Sequence, residues 1–217
     1  MADDGKRWTD FPDELQDIFE GLWQEAARLH LNWKLYLDLF GDPGKTDVLN
    51  ATVPSVFQLI EENLLASMTV SFGRLIDPSK TGKKDNLSLA RLVESLPAHC
   101  DDVFTRSAEK RLAVIKAECE PISAHRNRRV AHNDLATAIS YHDNPLPGIG
   151  RERISNALKM IADLMNSIQL HFENGETAYA HGIQRGTGKV LIYLLEQSLE
   201  YDRKQRGEEL AKYGIAK

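Results

Sequence analysis

Apolar side chains recur at steps of three and four along most of this chain. Phe11, Leu15, Ile18, Leu22, Ala26, Leu29, Trp33, Tyr36 and Phe40 trace one face of a long helix that stops near the GDPG at 41–44. A second helix fits Val53, Phe57, Ile60, Leu64, Met68, Phe72 and Leu75, and DPSKTGKKDN ends it. The residue before a proline is steered out of the helical region, so Asp77 marks that boundary. Asn86 or Ser88 caps a short helix to Leu96, with Pro97 beyond it. A fourth segment starts near Asp101 or Asp102 and carries Ala108, Leu112, Ile115, Cys119 and Ile122. The fifth runs through Ile154, Leu158, Ile161, Met165, Ile168 and Phe172, with the Asn-Gly at 174–175 as a C-terminal stop. A weaker helix spans Val190 to Leu199, followed by the charged tail EYDRKQRGEEL.

No stretch alternates with period two for long enough to predict a strand, and there is no internal repeat or low-complexity block. Five to six amphipathic helices with mostly short connections predict an all-α fold, an up-and-down helical bundle. The longest clear loops are 141–150 and 77–86. The expected organisation is one helical domain over residues 1–176 and a helical appendage with a charged tail over 177–217.

Composition narrows the function classes. An apolar fraction of 42% with 27% charged residues over 217 positions is that of an ordinary soluble globule. The formal net charge of −5 argues against non-specific nucleic-acid binding over the whole surface, so any such contact is a local groove. No apolar run approaches the roughly 18 residues of a membrane span, so no membrane partner is expected. The N-terminal MADDGKRWTDFPDEL has no apolar signal core, and Cys100 and Cys119 stand isolated, which together predict a cytoplasmic protein with reduced thiols. Without CxxC or HExxH spacing, no metal and no cofactor are expected.

Three features invite a functional reading and carry a plainer one. GIQRGTGKV at 182–190 has one residue too many before its Gly-Lys for a phosphate loop, has Val190 where a hydroxyl is needed, and follows no strand, so it reads as a turn. Trp33 lies on the first apolar stripe and Trp23 beside it, which favours core packing over base stacking; Trp8 stands outside that pattern. Arg74 and Asp77 flank a helix end, where a structural ion pair is the simpler role.

One stretch resists the plain reading. In PISAHRNRRVAHND, residues 121–134, His125, Arg126, Arg128, Arg129 and His132 fall within eight positions of an acidic chain. Basic residues in a last helical turn complement the helix dipole, and charge alone would leave the matter there. Yet the stripe Ala108, Leu112, Ile115, Cys119, Ile122 continues to Arg126, so a guanidinium takes a position that the pattern reserves for an apolar side chain. An unpaired buried guanidinium is very costly, and Arg126 must meet an acid, a cleft or a partner subunit. Pro121 is expected to kink the helix just before.

The order RNRRVAH resembles the Arg-Asn-x-x-x-Ala-His signature of the HEPN superfamily, with five residues between Arg126 and His132. With NWKLYLDLFG, VLNAT, RLIDPSKTGKKDNLSL, HRNRRVAHNDL and ALKMIADLMNSI, the chain from about residue 30 to 172 is similar to the abortive-infection AbiU-type branch. The resemblance implies a helical bundle that forms a homodimer through the helix carrying the motif. It also implies a metal-independent ribonuclease, often a toxin or phage-defence effector, with RNA as partner and in some members a cognate antitoxin. The catalytic residues would be Arg126 as phosphate and transition-state stabiliser, Asn127 as positioning residue and His132 as general base or acid. Arg128 and Arg129 would contact the RNA backbone. Members silenced by nucleotide addition carry a Tyr two residues after the His; Asp134 stands there in this chain. The rival readings are a non-catalytic nucleotide- or protein-binding module of the same fold and a plain dimeric bundle in which Arg126 is an ion-pair residue.

Overall fold

The computed structural model describes residues 8–125, 150–182 and 186–212, and they are almost wholly helical. Among them are seven α-helices: α1 Asp13–Phe40, α2 Pro43–Thr52, α3 Pro54–Ile76, α4 Leu89–Ser95, α5 Asp102–His125, α6 Arg151–Phe172 and α7 Gly188–Lys212. The only strands among the described residues are β1 Lys80–Thr81 and β2 Lys84–Asp85, an antiparallel hairpin too short for a period-two pattern to reveal. Gly82 turns it with φ +61°, a conformation that L side chains rarely adopt. The fold is all-α, as the periodicity predicts.

The stripes named from sequence are largely the buried ones. Leu15, Leu22, Ala26 and Leu29 of α1, Met68, Phe72 and Leu75 of α3, and all five positions on α5 are buried. So are Ile154, Leu158, Ile161, Met165 and Ile168 of α6. Ile18 is half-buried, and its neighbour Phe19 takes the core position instead; Ile60 and Leu64 of α3 are half-buried, and Val53 is exposed because it is the C-cap of α2 and lies before α3.

Several boundaries move, each for a local reason. GDPG ends α1 but also begins α2: Asp42 accepts a hydrogen bond from the Lys45 amide, and Pro43 occupies a first-turn position that needs no N–H donor. Ser88, not Asn86, caps α4 by accepting from the Arg91 amide. Asn86 instead closes the hairpin loop, donating to the Pro78 carbonyl (2.8 Å) and Thr81 Oγ1 (2.7 Å). Asp101 caps α5 through the Phe104 amide. Pro121 lies inside α5, which continues to His125. The C-cap of α6 is Glu173, in extended conformation, not the Asn-Gly that follows. The charged tail is helical, because α7 runs on to Lys212.

The chain forms two compact units, Met1–Leu31 with Ala66–Gly182 and Asn32–Leu65 with Ile183–Lys217. In the first, α5 and α6 pack antiparallel: Phe104 near the start of α5 stacks on His171 near the end of α6 (4.2 Å), while Arg153 near the start of α6 reaches Glu118 near the end of α5. Trp8, Phe11, Phe19, Trp23 and Phe172 form an aromatic cluster, with the Trp8 indole N–H donating to Glu20. The indole of Trp23 donates to Thr177 Oγ1, which donates to Gln169, while Asn166 bonds both backbone groups of Thr177. The packing role read for Trp23 and Trp33 is what they have, and Trp8 shares it.

In the second unit, α2 packs on α7, and Leu49, Phe57 and Ile192 are buried. A Cβ on Gly188 would lie 2.6 Å from Asp38 Cβ and 3.2 Å from Leu39 side-chain atoms. Gly188 is therefore needed for close packing, and Thr187 Oγ1 accepts from the Val190 amide to start α7. The turn reading of this glycine-rich segment fits both facts better than a phosphate loop.

Candidate functional site

The motif residues Arg126, Asn127, Arg128, Arg129 and His132, together with Asp134, lie outside the described residues. The structure does show what leads into them and out of them. Helix α5 buries Ala108, Leu112, Ile115, Cys119 and Ile122 on one face as far as its last turn. Arg126 is the next step of that series. Burial and the neighbouring Glu118 push the Cys119 thiol up to about 12, so it is a core side chain and not a nucleophile.

The last turns of α5 carry a deliberate irregularity. Pro121 has no N–H, so the carbonyl of Ala117 has no i+4 donor within the helix, although α5 continues to His125. Arg153, from the first turn of α6, donates from Nη1 to the Glu118 carbonyl at 3.4 Å. This brace joins the helix that enters the motif segment to the helix that leaves it. Sequence reasoning passed over Arg151 and Arg153, though a signal was present. Basic side chains in a first turn oppose the helix dipole, so two arginines there ask for another reason.

Two clefts open in the same unit. One, of about 280 Å³, lies between α5 and α6, lined by Lys110, Arg111, Val114, Ile115, Met160 and Asp163. The other, of about 290 Å³, is lined by Leu22, Glu25, Arg74, Asp77, Asn86 and Leu87. In it Arg74 Nη1 stands 4.0 Å from Glu25 Oε1, an ion pair of the kind expected for Arg74 but with a partner on α1. Elsewhere in the unit His30 is buried and stacks on Tyr179 (5.5 Å). Burial lowers its pKa, opposed by a hydrogen bond to the Leu158 carbonyl, and Nε2 has no hydrogen-bond partner. A neutral imidazole with one donor satisfied is a core arrangement. Among the described residues no three His, Cys, Asp or Glu side chains group to hold a metal, and no helix is long and apolar enough to cross a membrane.

An all-α bundle with an Arg-Asn-x₄-His sequence following one of its core helices defines the HEPN class of domain. Within that class, the family model for AbiU2 matches residues 12–190, and the chain belongs to the AbiU2 family of HEPN domains. No curated protein matches the chain, and no solved structure does.

Proposed function

We propose that this chain is a metal-independent endoribonuclease of HEPN type, acting in the cytoplasm as a toxin or phage-defence effector. The observation that carries the reading is the AbiU2 match, which spans the whole of Arg126–His132 within residues 12–190. RNA brings its own nucleophile, the 2′-hydroxyl, so the protein has to move a proton and stabilise charge. An imidazole with a reference pKa of about 6.5 suits the first task. A guanidinium that holds two phosphate oxygens suits the second.

In this mechanism His132 takes the proton of the 2′-hydroxyl or delivers one to the leaving 5′-oxygen. The 2′-oxygen attacks the adjacent phosphorus, the bond to the 5′-oxygen breaks, and a 2′,3′-cyclic phosphate and a 5′-hydroxyl result. Arg126 stabilises the charge on the phosphoryl oxygens, Asn127 orients the group, and Arg128 and Arg129 hold neighbouring phosphates. Two copies of the chain pair at the α5 end, so that both sets of residues line one cleft. Arg126 falls where the apolar series from Ala108 to Ile122 takes its next step, a position at which a guanidinium needs a partner, and this supports that boundary. A cognate antitoxin would restrain such an activity; Asp134 in place of Tyr argues against restraint by nucleotide addition there.

The test is cleavage of a mixed RNA pool in excess EDTA by wild type, Arg126→Ala and His132→Ala, with end-group analysis. Wild type is expected to release 2′,3′-cyclic phosphate ends and to leave DNA intact, and both variants to be inactive. Undiminished cleavage by His132→Ala refutes the mechanism. Binding without cleavage by wild type turns the assignment to the non-catalytic module.

A further inference from the structure

Three unfavourable placements meet at one cleft of the first unit. Gly21 sits inside α1, where glycine is destabilising relative to alanine. A Cβ there would stand 2.7 Å from Leu87 Cδ2, so the glycine seats the Leu87 side chain against the helix. Leu87 is nevertheless 50% exposed, and it forms part of the wall of the cleft of about 290 Å³. Glu25 lines the same cleft with a side chain only 13% exposed. Arg28 donates to its Oε2, but Oε1 is buried without a hydrogen-bond partner, and Arg74 Nη1 at 4.0 Å is too far to supply one. A buried carboxylate oxygen in that state is unfavourable, and a donor from outside the chain would relieve it.

The rest of the lining is short of donors. Asn86 uses its amide hydrogens on the Pro78 carbonyl and Thr81 Oγ1, which leaves its Oδ1 as an acceptor. With the carboxylates of Glu25 and Asp77, the cleft sets acceptors around a single donor side chain, Arg74, and Leu22 and Leu87 add apolar surface. We infer that this cleft binds a guanine base by its Watson–Crick edge. Guanine presents N1–H and N2–H side by side for a carboxylate, with O6 beside them for a guanidinium. Adenine and cytosine put an acceptor nitrogen next to their amino group, and uracil has one N–H between two carbonyls. Arg74 is 62% exposed, so its side chain can turn toward O6 as the base enters. The volume is near the roughly 300 Å³ at which small-molecule pockets begin, which suits one base. The source of the guanine rests on the ribonuclease reading: single-stranded RNA, whose unstacked bases offer that edge. Lys83 and Lys84 are exposed in the hairpin loop that Asn86 closes, have no ion pair among the described residues, and supply charge for the adjoining phosphates.

Calorimetric titration of the full chain tests this, with GMP, AMP, CMP and UMP and with 2′-O-methyl oligonucleotides that carry one guanine or none and cannot be cut. GMP is expected to bind about tenfold tighter than the other three nucleotides, and the guanine strand about tenfold tighter than the guanine-free one. The guanine strand should also bind tighter than GMP, and Lys83→Ala with Lys84→Ala should remove that difference. Equal affinities for strand and nucleotide overturn RNA as the source and assign the cleft to the free nucleotide. Glu25→Gln should abolish the preference for guanine. Gly21→Ala is a second variant: the far end of Leu87 can move to admit the methyl, so the fold survives, but the cleft wall shifts and GMP binding should weaken. No binding of GMP, equal binding of all four nucleotides, or a guanine preference that survives Glu25→Gln each overturns the inference. So does binding of arginine or a polyamine in place of GMP. RNA cleavage enters none of these measurements, so a chain that binds guanine and cuts nothing refutes the ribonuclease reading alone.

Discussion

Replacing Ile161 with Ala probes the buried face of α6. Ile161 is fully buried on α6, one turn from Leu158 and Met165, which are buried too. The substitution removes three carbon groups. At about 0.8 kcal/mol for each, the transfer loss is roughly 2.4 kcal/mol. Helices pinned at both ends, by Phe104 on His171 and by Arg153 on the Glu118 carbonyl, cannot close fully over the gap. A residual cavity then raises the total to about 2–5 kcal/mol, while Ile161→Val should cost only about 0.5–1.5 kcal/mol. Urea denaturation followed by circular dichroism measures both, with Lys159→Ala as an exposed control expected within about 0.5 kcal/mol of wild type. An Ile161→Ala loss below half a kcal/mol would show that this face of α6 does not hold the unit together.

Gly188→Ala places a methyl where Asp38 Cβ already stands 2.6 Å away, and Cβ atoms close to the backbone cannot swing aside. It should cost about 1–3 kcal/mol in the same denaturation assay, whereas Gly207→Ala, with open space around it, should be neutral or stabilising. The buried, neutral His30 gives a pH dependence whose sign follows from burial lowering its pKa. Above about pH 6.5 neither state binds the proton and its contribution is fully present; as pH falls toward the lowered folded value, the unfolded chain gains the proton first and stability drops. His30→Gln should therefore lose less stability than wild type between pH 7.5 and 5.5, and equal losses would remove His30 as the cause.

The core was legible because burial in a helical bundle repeats every three to four residues, and each stripe contains enough side chains to average out single departures such as Ile18. What escaped has no such averaging. Helix α2 buries essentially Leu49 alone, so no stripe announces it; only the Asp42 cap and Pro43 mark it. The 80–85 hairpin has two residues per strand, fewer than one period-two alternation needs. The helical extension of α7 past Leu199 into the charged tail has no apolar stripe to mark it, because charges there outnumber apolar residues. Those charges are spaced for helical pairing, as Lys204 on Glu200 at 2.9 Å shows.

The motif residues were legible for a different reason, and the same reason explains Arg153. Each stands where local physics would put something else: Arg126 on an apolar stripe, Arg153 in a first turn that favours acids. A chain that gains nothing from such placements in packing must gain it in another way. For Arg153 the structure supplies the gain, a hydrogen bond to the Glu118 carbonyl that ties α6 to α5. Arg126 is the next step after a stripe that is buried from Ala108 to Ile122. The phosphate of an RNA strand, brought to a boundary between two copies, is an occupant that would make a guanidinium at that position favourable.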